Sequence, residues 1–340
     1  MSHEITKLDR QQGIEQAWHG LTEIRNPLTL ADSWLAQWDI VKAPLYTVEN
    51  GQPSETEFCQ IVASDNSKIR IGTPVHCETY QPVTNADFLR IVNDALLGIT
   101  GVRVASVGSV CARGRVFVSV KLTELESFKA AKREFKPYLN FLNSHDQSSV
   151  FAVNTSNTCT VCNNTFSMNL HDKTGTGLRV RLKHTRNVGQ RLENIPELVD
   201  GFLGAQAEFR AKMDTFDSQP IAEKHARSFF TGFLTPKVNA ENLNTADLEL
   251  STRKTNQIDR LTSLFSTGVG SRGETLADVF SAVTDYYTHE SSGGDDIEKQ
   301  IVSSDYGMGQ AQKDRAWNVL QSRDMVNETV RIGNHVLAAN

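Results

Sequence analysis

The chain has 340 residues, 39% hydrophobic and 22% charged, which is the balance of a globular protein long enough for one large or two ordinary domains. Its formal net charge of -5 argues against general adhesion to nucleic acid or an anionic membrane. No apolar run approaches the roughly 20 residues that span a bilayer, the N-terminus is polar with no signal-peptide core, and five widely spaced cysteines do not make a disulfide framework; the expectation is a cytosolic protein with reduced thiols and no membrane partner.

Residues 1–60 hold three of the four tryptophans (Trp18, Trp34, Trp38), and Thr29-Leu30-Ala31-Asp32 can open a short helix. Pro44 to Val48 reads as a strand that turns at Asn50-Gly51, the favoured two-residue hairpin pair, and returns through Phe58 to Ala63. This segment is expected to act as an N-terminal arm packing on the core.

Lys68 to Gly72 alternates basic with apolar residues. Thr84-Asn85 then offers an N-cap to a helix carrying Phe88, Ile91, Val92, Ala95 and Leu96 on one face. Strands are expected over Val102–Val110 and Arg113–Leu122, joined at Cys111-Ala112-Arg113-Gly114, with Val116, Val118 and Val120 on one face and Arg115, Phe117, Ser119 and Lys121 on the other. Leu125–Phe135 reads as a short basic helix stopped by Pro137, Ser144–Ser148 as a turn, and Val150–Val153 as extended chain. Gly177–Arg186 alternates strictly, placing Leu178, Val180 and Leu182 opposite Arg179, Arg181 and Lys183.

Beyond Val188 the pattern is helical. Helices are expected over Leu192–Asp214 with a break at Gly201 and Gly204, Ser218–Leu234 with Pro220 in its first turn, Leu243–Phe265, Glu274–His289 and Gln310–Val326. The fold class is therefore α+β: a largely antiparallel sheet core with flanking helices (residues 61–191) after the N-terminal arm, followed by an all-helical C-terminal region (192–340).

Charge divides along the same lines, at -5 for residues 1–60, +8 for 61–191 and -8 for 192–340. From Lys173 to Arg191 there are six Lys or Arg and no Asp or Glu. Alternate residues on a strand lie about 7 Å apart, a spacing suited to an extended phosphate backbone. Arg115, Lys121, Arg179, Arg181, Lys183 and Arg186 are the candidate phosphate contacts, and Phe117 the candidate platform for a stacked base. Solvated strand faces also carry Lys and Arg simply to blunt edges.

Other motifs are weaker. Cys159-x-x-Cys162 is half a zinc site without a second close pair, and buried core cysteines explain it better. His145-Asp146 and His171-Asp172 fall in turn-like sequence. Gly268-x-Gly270-x-x-Gly273 follows a helix rather than a strand, which argues against a dinucleotide loop. No metal and no cofactor is expected.

Trp18-His19-Gly20, Tyr80-Gln81-Pro82-Val83 with Asn85, Gly114–Leu122, Ser144-His145-Asp146, Val161-Cys162-Asn163-Asn164-Thr165, Lys183-His184-Thr185 and Ala282-Val283-Thr284-Asp285-Tyr286 occur in this order. Together they resemble the phage/plasmid-like protein family catalogued as a domain of unknown function, and the resemblance implies a mobile element in a bacterial host. By analogy of element order alone, the middle region is similar to phage single-strand annealing recombinases, which bind DNA and form homo-oligomers. The first expectation is a non-enzymatic protein that binds DNA, in single-stranded form, for recombination. The alternatives are an enzyme acting on a phosphorylated or nucleotide substrate through a polar cluster of His145, Asp146, Asn163, Asn164, His184 and Thr185, and a host-interaction (anti-defence) protein using its acidic helices.

Overall fold

A computed structural model describes residues 3–5, 30, 34–65, 69–96, 102–122, 127–159, 165–168, 180–182, 198–235, 249–291, 299 and 302–340. The strands are β1 (His3–Ile5), β2 (Ile40–Glu49), β3 (Gln52–Ala63), β4 (Arg70–His76), β5 (Val102–Val110), β6 (Arg115–Leu122), β7 (Phe128–Ala130), β8 (Arg133–Ser144), β9 (Phe151–Cys159), β10 (Thr165–Met168) and β11 (Val180–Leu182). The helices are α1 (Asn85–Leu96), α2 (Leu198–Asp217), α3 (Glu223–Leu234), α4 (Thr252–Thr267), α5 (Leu276–Asp285), α6 (Met308–Leu320) and α7 (Arg323–Ala339). The eight-stranded sheet has the order β1-β5-β6-β8-β9-β10, with β11 also on β9 and β7 on β8; a second sheet has the order β2-β3-β4. The protein is α+β, as its periodicities indicate. No helix among the described residues is long and apolar enough to cross a membrane.

The chain forms two compact units, one of residues 1–126, 137–156 and 168–205, the other of 127–136, 157–167 and 206–340. In the first, the apolar faces of β3, β4, β6 and α1 meet in one core that includes Ile61, Ile71, Phe88, Val92, Val118, Phe141 and Phe151. Asn50 and Gly51, at φ 52° and 77°, make the left-handed turn that the Asn-Gly pair favours between β2 and β3. Cys59 and Cys77 are joined by a disulfide with Cα atoms 5.3 Å apart, which corrects the expectation of reduced thiols throughout. Pairing of β3 with β4 sets Cys59 against Val75, two residues from Cys77, and spacing in the sequence does not reveal that register.

In the second unit, where a basic helix is expected over Leu125–Phe135, the described residues Phe128–Phe135 form a β-hairpin. Lys129 and Glu134 face solvent, whereas Ala130, Arg133 and Phe135 are buried, a period of two rather than 3.6. Ala131 and Lys132 turn through left-handed φ of 48° and 58°. Pro137 does not stop a helix. It lies within β8, between the residues that pair with β7 and those that pair with β6.

Three helical expectations are corrected as well. Gly201 and Gly204 sit inside an unbroken α2. Pro220 precedes α3 and bridges to Thr275 instead of occupying the first turn. The last helical stretch is two helices, divided at Gln321-Ser322, where the Ser322 hydroxyl accepts from Met325 N–H and starts α7. Helices α3 and α7 approach closely through glycine, since a Cβ on Gly333 would lie 1.8 Å from the Ser228 carbonyl oxygen.

The core of this unit is aromatic. Trp317 stacks on Phe209 at 5.3 Å and meets Phe216 and Phe280 at 5.3 and 5.1 Å. Beside it runs a buried ion pair between Arg133 and Asp278, 1% and 0% exposed. Arg133 also donates to the carbonyls of Gly270 (2.8 Å) and Ala131 (2.6 Å). Asp278 accepts from Arg272 N–H (2.7 Å), Thr275 N–H (2.9 Å) and the Thr275 hydroxyl (2.8 Å), closing a capping box on α5. One pair thus ties the β7–β8 hairpin, the 268–273 turn and the start of α5. The Gly268-x-Gly270-x-x-Gly273 loop is structural, and the α5 N-terminus is already occupied by a carboxylate.

Two outcomes are expected. Arg133→Ala leaves Asp278 buried without its counter-charge, so urea unfolding should show a loss of about 3–5 kcal/mol. The Asp314 carboxyl is pushed up to about 6 by burial, against a hydrogen bond from Gln310 and the charge of Lys313. The folded state therefore holds that proton more tightly than the unfolded chain, whose value is the ordinary 3.8, and stability declines as pH rises through the interval between them. Asp314→Asn should add about 1–2 kcal/mol at neutral pH and almost nothing near pH 3, below the unfolded value, read by urea unfolding at both.

Candidate functional site

Among the described residues of the first unit, a dense set of polar contacts surrounds the Ser144–Ser148 loop at the end of β8. The β5–β6 turn, the end of the 34–37 turn and the start of α1 converge on it.

His145 is fully buried, its ring edge-on to Trp38 with centroids 6.0 Å apart. Asn85 Nδ2 donates to the Trp38 carbonyl at 3.0 Å, so its Oδ1 faces His145 Nε2, 2.9 Å away. An amide oxygen only accepts, and Nε2 therefore carries the ring proton in this contact. The same start of α1 is capped by Asp39, which accepts from Asn85 N–H at 2.8 Å and Ala86 N–H at 3.2 Å. Its dipole is already satisfied by a carboxylate. A cavity of about 300 Å³ opens beside Trp38, Asp39, Ser64 and Leu89.

Asp146 is equally committed. Its Oδ1 accepts from the Ser144 hydroxyl at 2.7 Å, from Ser148 N–H at 3.0 Å and from the Ser148 hydroxyl, and Oδ2 lies 3.8 Å from Arg115 Nε. Arg115 Nε donates to Ser148 Oγ at 2.7 Å. Both His145 N–H and Asp146 N–H donate to the Gly114 carbonyl, at 2.7 and 3.1 Å. A Cβ on Gly114 would meet the Asp146 carboxylate at 2.7 Å, and one on Gly72 would meet the Asp146 backbone at the same distance. Burial, and then the Asp146 charge, pushes the Tyr80 phenol up to about 12.

Three consecutive non-glycine residues, Cys111, Ala112 and Arg113, hold φ of 57°, 48° and 69° in the turn that presents Gly114. Single residues of this kind cost of order 1 kcal/mol and persist only where the surroundings hold them. Here the holder is Arg113, buried with its guanidinium 4.8 Å from the Trp38 ring centroid and NH1 2.6 Å from Asp65 Oδ2. The arrangement binds a loop, a turn and a helix start into one block, to which His145 Nε2 and the Asp146 carboxylate both contribute.

The expected phosphate face divides differently. All of β6 from Val116 to Lys121 is buried, so the alternation of valine with Arg115, Phe117, Ser119 and Lys121 marks a central strand covered on both sides, not a half-solvated one. Phe117 is 1% exposed and Lys121 5%, which removes the stacking platform and one phosphate contact. Ser119 belongs instead to a buried polar ladder, donating to Asn140 Oδ1 at 2.6 Å while Asn140 Nδ2 donates to Asn154 and Ser156 at 3.0 and 2.9 Å. Arg181 pairs in register with Ala152, the half-buried position between the buried Phe151 and Val153. Arg179, Lys183, Arg186, Asn163, Asn164, His184 and Thr185 lie outside the described residues, as do Cys162 and His171. The structure therefore brings His145 and Asp146 together with Asn85, Arg113 and Arg115, of which Asn85 and Arg113 were not singled out as site residues from sequence.

A family model described as Domain of unknown function (DUF932) matches residues 74–325. The chain belongs to that family. Searches of curated proteins and of solved structures return no match. The DUF932 match takes in the helix start at Asn85, the strained turn and the Ser144–Ser148 loop.

His145→Ala should remove a fully buried ring and leave Asn85 Oδ1 without its donor, costing about 2–4 kcal/mol in urea unfolding. His145→Gln, which restores an N–H donor, should recover part of that loss.

Proposed function

We propose that this DUF932 protein is a non-enzymatic nucleic-acid-binding protein of a phage or plasmid, acting on single-stranded DNA in the host cytoplasm, with annealing during recombination as its role. What carries the reading is the run of six basic and no acidic side chains from Lys173 to Arg191, within which β11 joins the large sheet. Strand β11 has one strand partner, β9, among the described residues, and its Arg181 pairs with the less buried position of that partner. A polyanion held there is bound through its phosphates by Arg179, Arg181, Lys183 and Arg186. With Phe117 and Lys121 buried and Arg115 held by Ser148 and Asp146, strand β6 is no longer part of the binding face.

The enzyme reading draws less support. His145 Nε2 and the Asp146 carboxylate are engaged inside the block that fixes the fold, and a general acid or base needs reach to a substrate.

Fluorescence anisotropy with labelled single strands across a salt series tests the proposal. Neutralisation of four to six phosphates gives a log–log salt slope of about -3 to -4 for single strands, and an Arg179→Ala/Arg181→Ala/Lys183→Ala variant should lower its magnitude by about 2. No binding at low salt, in protein of confirmed fold, would sink the reading.

A further inference from the structure

The Cys59–Cys77 disulfide joins an enclosed residue to one at the margin of the core. Cys59 lies in β3, 5% exposed and packed with Ile61 and Val75. Cys77 follows β4 and is half-buried, and Glu78 and Thr79 beyond it are exposed. It opens an irregular connection, residues 77–84, that ends at the start of α1.

A cation stands beside the bond. Lys42 pairs with Ile61 and Pro44 with Cys59 across β2 and β3, so Lys42 and Cys59 are diagonal neighbours on one face of the ribbon. The Lys42 ammonium also donates to the Cys77 carbonyl at 2.7 Å, which brings it to both halves of the bond. Desolvation pulls Lys42 below its ordinary 10.5, and a neighbouring anion relieves it. Structural cysteines in apolar surroundings are inert, whereas a lysine beside sulfur favours the thiolate, the species through which disulfides open and close.

We propose that Cys59–Cys77 is a reversible redox clamp on the connection leading to α1, opened by a small thiol of the glutathione class. The thiolate of that reagent attacks Cys77 Sγ, the S–S bond breaks, and its electron pair leaves on Cys59 as a thiolate stabilised by Lys42, which then takes a proton from water. A second reagent thiol attacks the reagent sulfur of the mixed disulfide and releases Cys77 as a thiol. Two protein thiols form while two reagent thiols become one disulfide, so two electrons are exchanged.

The clamped segment touches the candidate site. Between Cys77 and α1 the chain sets Tyr80 within range of the Asp146 charge and presents the Val83 carbonyl to Asn143 Nδ2 at 2.8 Å. Opening the bond therefore loosens chain that packs against the Ser144–Ser148 loop. Cys77 N–H keeps its bond to the Glu57 carbonyl at 2.9 Å, so the sheet itself stays paired. The clamp shares no residue with the DNA-binding reading, and either can fail without the other.

Incubation of the full-length chain in graded ratios of reduced to oxidised glutathione, with alkylation and peptide mass spectrometry as the readout, tests this. Cys59 and Cys77 should open and reclose together. Lys42→Met, in protein of unchanged melting, should slow opening several-fold, and Lys42→Arg should retain most of the rate. Hydrogen exchange of the reduced wild type should be about tenfold faster in peptides covering 77–84 and 144–148, and unchanged in α2 to α7. The reduced wild type serves as the primary sample because Cys59→Ser places a hydroxyl in the core; Cys59→Ser/Cys77→Ser should match it. A pair that stays oxidised in excess reduced glutathione, opening indifferent to the charge at position 42, or equal exchange of 77–84 in both redox forms would overturn the proposal.

Discussion

The Gly114 carbonyl is the contact on which the first unit turns. It accepts from two successive backbone amides, His145 and Asp146, and so decides where the Ser144–Ser148 loop begins. That contact needs a turn through Cys111, Ala112 and Arg113 that L-residues resist, and the turn is held by the burial of Arg113 between Trp38 and Asp65. Once the loop is placed, His145 reaches Asn85 and Asp146 gathers Ser144, Ser148 and Arg115. Backbone strain in one turn is offset by a set of polar contacts that no single element could make alone.

The second unit solves the corresponding problem with charge. Arg133 and Asp278 are 145 residues apart in sequence, yet each supplies what the other's neighbourhood lacks: donors for the carbonyls of Ala131 and Gly270, acceptors for the amides that open α5. Desolvating two charges is costly, and the additional hydrogen bonds are what make the burial tolerable. Aromatic packing around Trp317 and the close approach of α3 and α7 at Gly333 supply the apolar part.

The β2–β3 arm is acidic with an exposed apolar pair, and in the sequence Lys173 to Arg191 holds six basic and no acidic residues. A chain of modest net charge thus separates its charge strongly along its length, a distribution that favours steered association over non-specific adhesion.

Local pattern alone determined the α+β class, the Asn50-Gly51 hairpin, helix α1 with its cap region, the β5–β6 pair and the amphipathic α5, because each depends on side-chain period or turn chemistry within a few residues. What periodicity could not decide was coverage. An alternating strand reads the same whether its second face meets water or protein, so β6 looked half-solvated, and only burial of Phe117 and Lys121 settled it. The 127–135 segment failed for a related reason: basic residues spaced at 129, 132 and 133 suit a helix face as well as a tight hairpin, and left-handed φ at Ala131 and Lys132 carries no glycine to announce it. The Cys59–Cys77 bond, the Arg133–Asp278 pair and the meeting of Arg113, Asn85 and His145 depend on strand register and on contacts between residues far apart in the chain. Sequence lists the groups that can pair; the tertiary structure decides which do, because a hydrogen bond or ion pair exists only within about 3–4 Å.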